Sequence, residues 1–279
     1  MNKFALTGHP LGHSMSPLIH DRLFALSGRK DSEYGLIDID PADIPTSREL
    51  FETLCGLNVT IPHKQTVIPL MDSLDETAAR YNAVNCIMND NGRLIGYNTD
   101  CTGFLRSAET LPVGGKTCIL GCGGVGRMIA IESALHGADI TLAVIPQDVK
   151  AAQLLMAEIL EKCGNVSVKI ADIASLDDSF DLLINATPVG MYPKVDACPV
   201  NDKVIEQSGS VFDVIYNPTE TLLMKKARAL GKTAIGGTAM LVYQAVRAHE
   251  IWYGGEFKAD DVAKIITEVE DAVNEMNKK

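Results

Sequence analysis

The sequence predicts an α/β protein of two domains, and three observations carry that prediction. From Lys116 onward short apolar runs alternate with segments of helical length, the pattern of a parallel, doubly wound sheet. At the head of this pattern Gly121-Cys122-Gly123-Gly124-Val125-Gly126 follows a strand and opens a helix, which is the setting of a dinucleotide-binding turn. The first hundred residues mix strands and helices differently, and 279 residues suffice for two domains of ordinary size. The expected organisation is an N-terminal α/β domain, residues 1–103, completed by C-terminal helices at 238–279. Residues 104–237 form a Rossmann-type, doubly wound parallel-sheet domain.

The elements follow in order. Phe4–Thr7 reads as a strand. Ser16 followed by Pro17 is a helix start, with a hydroxyl cap and proline in the first turn; Leu18, Ile19, Leu23, Phe24 and Leu26 keep helical spacing until Gly28. Tyr34–Ile39 and Leu57–Ile61 are strands. Ala83–Met88 and Arg93–Tyr97 flank Asn91-Gly92, a hairpin signal. In the second domain Thr117–Leu120, Ile140–Ile145, Val166–Ile170, Leu182–Asn185, Val211–Ile215 and Thr233–Ile235 read as strands. Helices are expected at Val125–His136, Val149–Cys163 and Glu220–Leu230, with two closing helices at Thr238–Trp252 and Ala259–Asn277.

Composition excludes several classes. A net charge of −11 leaves no basic stripe for a phosphate backbone, so no nucleic-acid partner is expected. No apolar run reaches the ~18–20 residues that span a bilayer, and the N-terminus lacks a secretion signal; a cytoplasmic protein, monomeric or homodimeric, is expected. The seven cysteines are scattered and form no Cys-x-x-Cys, as expected of free thiols in a reducing compartment. His9, His13 and His20 are close in sequence but spread over a loop and a helix, so no metal site is predicted.

The glycine loop has a specific physics. Gly121 permits the tight turn, Gly123 lets backbone approach a pyrophosphate, and Gly126 lets the helix pack close to the strand. Helix N-terminal N–H groups then hold the phosphates. Cofactor choice is normally made past the second strand, by an acid for NAD or an arginine for NADP. Here the chain reads Ala143-Val144-Ile145-Pro146-Gln147-Asp148-Val149-Lys150. Asp139 precedes the strand and lies at the wrong end. Gln147 or Asp148 reaches the ribose if the turn is tight, and Lys150 is placed to meet a phosphate; NADP and NAD both remain open.

Several segments, in order, resemble the shikimate dehydrogenase family, which includes the quinate/shikimate dehydrogenases. They are Gly8-His-Pro-Leu-Gly-His-Ser14-Met-Ser16-Pro, Gly56-Leu-Asn-Val-Thr60-Ile-Pro-His-Lys64, Ala83-Val-Asn85 and Gly96-Tyr-Asn-Thr-Asp100. The glycine loop, Asn185-Ala-Thr187-Pro-Val-Gly-Met191, Asp213-Val214-Ile-Tyr216-Asn-Pro and Met240-Leu-Val-Tyr-Gln244 complete the set. The resemblance covers essentially the whole chain and makes the N-terminal domain the substrate domain. It implies an NAD(P)-dependent oxidoreductase that interconverts 3-dehydroshikimate and shikimate, with a small-molecule substrate that extends in some members to quinate. It implies Lys64 and Asp100 as the catalytic pair. Ser14 and Ser16 would hold the substrate carboxylate, Thr60, Asn85 and Gln244 its ring hydroxyls, and Tyr216 its edge. Cofactor-lining positions would be Gly121, Cys122, Gly123, Gly124, Val125, Gly126, Val144, Ile145, Pro146, Thr187, Val214 and Gly237. NADP-using members commonly carry Asn-Arg-Thr where this chain has Val144-Ile145-Pro146, so the arginine for the 2′-phosphate is absent; NAD use would fit a quinate/shikimate dehydrogenase.

The residue types suit the chemistry. Reducing a ring ketone needs a hydride at carbon and a proton at oxygen. A lysine is protonated at neutral pH and is a willing proton donor; an adjacent carboxylate keeps it so and orients it. The contrasting expectation is a binding protein on the same fold that has lost turnover, which the presence of both Lys64 and Asp100 disfavours.

Overall fold

The structure, a computed structural model, describes residues 1–12 and 14–278; His13, one of the three clustered histidines, lies outside the described residues. Chain contacts divide it into two compact units. One comprises Met1–Gly103 with Val242–Val269, the other Phe104–Leu241 with the residues from Glu270 onward.

The first unit is built on β1 (Asn2–Gly8), α1 (Ser16–Leu26), β2 (Ser32–Asp38), α2 (Arg48–Glu52), β3 (Gly56–Val59), β4 (Ser73–Leu74), α3 (Glu76–Tyr81), β5 (Cys86–Asp90) and β6 (Arg93–Tyr97). Its sheet runs β2-β1-β3-β5-β6-β4. The β1–β2, β1–β3 and β4–β6 pairs are parallel, whereas β5 is antiparallel to β3 and β6. The Asn91-Gly92 hairpin forms as expected, with φ of +53° and +91°, both in the region that such a turn requires. Successive residues of β1 face opposite ways: Ala5 joins Phe51, Leu57, Val59 and Ile87 in one cluster, while Phe4 and Leu6 pack with Phe24 and Tyr34 in another. Trp252 lies 4.8 Å from Phe4 ring to ring and donates to the Ile87 carbonyl at 3.0 Å.

Two local expectations are corrected, and three short helices are added. The Ser16 hydroxyl does not cap α1: the helix starts at Ser16 itself with Met15 at the N-cap, and the Ser16 N–H is taken by Ser14 Oγ at 3.2 Å. The strand expected through Ile61 stops at Val59, because Pro62 has no N–H and the chain turns with His63 N bonded to Thr60 O. The helices α2, α3 and α4 (Asp100–Ser107) escaped the sequence reading; at five, six and eight residues they are too short to show a helical period.

The second unit contains β7 (Lys116–Leu120), α5 (Gly124–Leu135), β8 (Asp139–Val144), α6 (Val149–Cys163), β9 (Val168–Asp172), β10 (Phe180–Asn185), α7 (Asp202–Glu206), β11 (Ser208–Asp213), α8 (Leu222–Ala229) and β12 (Thr233–Gly236). The chain closes with α9 (Gly237–Tyr253) and α10 (Ala259–Met276). All five strand pairings in this sheet are parallel, in the order β12-β11-β10-β7-β8-β9. This is the predicted doubly wound sheet. Its order reverses between β7 and β10, the topological switch point at which such sheets bind ligands beyond the strand ends. Leu120 pairs with Asn185 there, so the glycine loop and the Ala186–Met191 loop leave the sheet side by side. No described helix is long and apolar enough to cross a membrane.

Candidate active site

Lys64 and Asp100 come together in the first unit. Lys64 sits in the turn after β3, its carbonyl accepting from Val84 N at 2.7 Å, and Asp100 is the first residue of α4. Lys64 Nζ donates to Asp100 Oδ2 at 2.6 Å, with the two side chains 26% and 17% exposed. The second carboxylate oxygen accepts from Asn85 Nδ2 at 2.9 Å. Asn85 is itself fixed: its Oδ1 accepts from Thr99 N at 2.6 Å, and its Nδ2 also donates to Thr99 Oγ1 at 3.0 Å. Its amide is therefore committed to Thr99 and Asp100. Thr99 is fully buried and reaches Gln244 Oε1 of α9 at 3.4 Å. One chain of bonds thus runs from Gln244 through Thr99 and Asn85 to the lysine–aspartate pair.

The serine loop is anchored from β2. Asp38 accepts from Leu11 N at 2.8 Å and bonds His9 Nδ1 at 2.7 Å; the Leu11 N–H first, then His9, hold its carboxyl below the usual range. Ser14 and Ser16 follow within the same loop and the first residue of α1, joined by the bond already described. Thr60 bonds Thr7 O through its N–H, which sets its methyl beside Gly8 at the head of that loop. Sequence reasoning missed Asp38, Thr99 and buried His63, whose Nε2 lies 2.7 Å from Ile39 O. Thr99 and His63 lie inside motifs that were read for their lysine and aspartate; Asp38 gave no local signal.

In the second unit the glycine loop has the shape of a phosphate cradle. Gly121 has φ +88°, and a Cβ at Gly126 would stand 2.5 Å from Gly121 O, so the α5 start fits only without a side chain there. A Cβ at Gly123 or Gly124 would meet nothing within 4 Å, and the N-cap of α5, Gly123, supplies no side-chain cap. Open space faces uncapped N–H groups, which is the environment that a pyrophosphate fills. Cys122 is half-buried, as is Val125, the second residue of α5. Val144 is buried in the core, whereas Ile145 and Pro146 are exposed. Gly237 approaches the 214 carbonyl so closely that a Cβ would lie 2.1 Å from Val214 O. Tyr216 follows β11, and burial pushes its hydroxyl pKa up.

A buried carboxylate organises this end of the sheet. Asp213 accepts from Thr221 Oγ1 at 2.7 Å, Asn185 Nδ2 at 3.0 Å and Ile215 N at 3.1 Å. Asn185 in turn accepts from Thr187 Oγ1 at 2.7 Å, so Thr187 and the Val214–Tyr216 segment are tied to one group. Burial raises the Asp213 carboxyl to about 6, against the three donors that lower it. Because the folded state holds this proton more tightly than the unfolded chain, stability from this group falls as pH rises between about 4 and 6. Asp213→Asn removes the titration. Its expected stability, relative to the native chain, improves by roughly 1–3 kcal/mol between pH 4 and 7. Urea unfolding of both proteins at the two pH values checks this; parallel pH profiles would refute it. Among the described residues no group of three or more His, Cys, Asp or Glu is placed to hold a metal; His9 pairs with Asp38, and His20 with His249 at 2.8 Å.

The family model of the shikimate dehydrogenase substrate binding domain matches residues 6–87, the span that holds Ser14, Ser16, Thr60, Lys64 and Asn85. The shikimate dehydrogenase (NADP(+)) of Moorella thermoacetica is 35% identical over 277 residues, covering 95% of this chain and 92% of the relative. The chain belongs to the shikimate dehydrogenase family. Solved members of the family share its fold. A shikimate dehydrogenase in complex with NADP+ superposes with a TM-score of 0.86 at 34% identity, over 96% of this chain and 95% of that one. A shikimate 5-dehydrogenase of Listeria monocytogenes in complex with shikimate and NAD gives 0.84 at 29% identity, over 95% and 96%. Both nicotinamide cofactors therefore occur among the family's solved structures.

Proposed function

We propose that this chain reversibly reduces 3-dehydroshikimate to shikimate, a step of chorismate and aromatic amino-acid biosynthesis, with a nicotinamide dinucleotide as cofactor. The observation that carries this reading is the Lys64 Nζ–Asp100 Oδ2 bond of 2.6 Å, with Asn85 holding the other oxygen. Bound in the glycine loop, the dinucleotide supplies the hydride. The fit there rests on the open space at Gly123 and Gly124 and the uncapped start of α5.

Lys64, aimed by Asp100, gives a proton to the carbonyl oxygen as the ketone is reduced, and takes it back in the reverse direction. The ammonium also stabilises negative charge as it develops on that oxygen. Asn85 and Thr99 hold the Asp100 carboxylate in one orientation. Ser14 and Ser16 bind the substrate carboxylate by donating from their hydroxyls. Thr60 and Gln244 meet ring hydroxyls, and Tyr216 the substrate edge. The free thiols suit a reducing cytoplasm, and a monomer or homodimer is the expected state.

Initial rates with shikimate and quinate, each against NAD+ and NADP+, test the reading. Turnover of shikimate with either cofactor is expected. Quinate turnover as well would widen the assignment to a quinate/shikimate dehydrogenase, and shikimate binding without turnover in any combination would make the chain a non-catalytic binding protein.

A further inference from the structure

We propose that the adenosine end of the dinucleotide site is built for NAD and not NADP, with Asp148 as the acceptor for the adenosine ribose hydroxyls. The proposal rests on the dehydrogenase reading and adds the identity of the cofactor, against the NADP(+) in the name of the Moorella thermoacetica relative.

The argument starts at the end of β8. The strand stops at Val144, and a single 3₁₀ turn, Pro146–Asp148, follows Ile145 at once, closed by Asp148 N on Ile145 O at 3.0 Å. The tight turn brings Asp148 back over the glycine loop: its carbonyl oxygen lies 3.9 Å from Cys122 Sγ. An acid therefore stands at the C-terminal end of the second strand, beside the loop that cradles the pyrophosphate. In doubly wound sheets that is the place from which a carboxylate meets the ribose 2′-hydroxyl, and from which an arginine meets a 2′-phosphate.

The cations needed for a 2′-phosphate are elsewhere. Residues 145–149 contain neither lysine nor arginine, and the turn offers exposed Ile145 and Val149, at 47% and 37%. Arg127, on the first turn of α5, is held by Glu158 through Nε at 2.7 Å and a second nitrogen at 2.5 Å. Lys150 is the second residue of α6, whose buried face is Ala152, Leu155 and Ile159; helical periodicity puts Lys150 roughly half a turn away from that face. A 2′-phosphate would bring a charge of about −1.5 to −2 to a turn whose own charged side chain is Asp148. A ribose hydroxyl brings a donor that Asp148 can accept, and the apolar Ile145 and Val149 suit the adenine ring.

Isothermal titration of the whole protein with NAD+ and with NADP+, without substrate, is the test. NAD+ is expected to bind at least about tenfold more tightly, the size of one charge-assisted contact. Asp148→Asn is expected to weaken NAD+ and narrow the difference, and Ile145→Arg to raise NADP+ affinity about tenfold with NAD+ little changed. Equal or tighter binding of NADP+ by the native chain would overturn the proposal, and loss of that binding in Lys150→Ala would name the residue responsible. Shikimate turnover with NADP+ alone would also overturn it while leaving the dehydrogenase reading in place. Binding of neither dinucleotide would remove both.

Discussion

Lys64→Ala is expected to lower kcat by about 10²–10⁴-fold, the usual cost of losing one positioned general acid, while the Kd for shikimate changes far less. The proton that completes alcohol formation has no other donor aimed at it by a carboxylate in this network; Asn85 and Thr99 spend their bonds on Asp100 and on each other. The fold should survive the change. The pair is partly exposed, and an ion pair of that kind contributes only about 0–1 kcal/mol. Removing the ammonium leaves Asp100 with the Asn85 bond and with access to water. Single-turnover rates, together with calorimetric binding of shikimate and a thermal melt, separate the possibilities. A fall in kcat of only two- or threefold with intact binding would exclude Lys64 as the acid. Equal losses in binding and stability would make it a structural lysine.

The second large effect is expected at the other unit. Gly126→Ala should weaken dinucleotide binding by roughly 10–100-fold, the equivalent of about 1–3 kcal/mol of overpacking. The added methyl would lie 2.5 Å from Gly121 O and 3.3 Å from the Ala186 Cβ. Neither neighbour is the end of a flexible side chain: one is the backbone of the loop itself, the other the first residue past β10. The start of α5 must therefore move away from Gly121, and the N–H groups that face the phosphates move with it. Titration with the dinucleotide reads the loss. Shikimate affinity is expected to stay within a few-fold of the native value. Unchanged dinucleotide affinity would show that the loop tolerates the shift and that its geometry is not what holds the phosphates.

The second unit was the more legible from sequence because its signals are local. The run from β7 to α5 was readable from a strand, three glycines and a helix within about a dozen residues, and α6 was placed at its observed ends, Val149 and Cys163. Asn91-Gly92 was equally plain, since the turn needs two residues with positive φ and those two types supply them. Ser16 shows the limit of such rules. Its hydroxyl and the proline after it gave a sound cap signal, yet the loop before it already offers Ser14 Oγ to the backbone, and the helix starts one residue sooner. The short helices α2 and α3 were hidden for a different reason: each buries its face through one or two residues, Phe51 in the first and Ala78 and Tyr81 in the second, too few to form a period.

By itself the sequence determined the α/β class and the doubly wound sheet, and it singled out the glycine loop, Lys64 and Asp100 as candidates. Each of these depends on residue types and spacings that act over a few positions. Only the tertiary structure decided what those residues do to one another. Lys64 meets Asp100 across 36 positions, Thr99 meets Gln244 across 145, and Asp213 meets Asn185 across 28. The resemblance implies a substrate contact at Asn85, and the structure adds a bond that no local pattern shows: its amide meets Thr99 and Asp100 beside the paired β5 and β6. The turn after β8 folds back so that the Asp148 carbonyl lies beside Cys122 of the glycine loop, a neighbour that the spacing alone left open. A hydrogen bond is decided within a few tenths of an ångström, and that precision comes from sheet register and helix packing, which join parts of the chain that no local pattern connects.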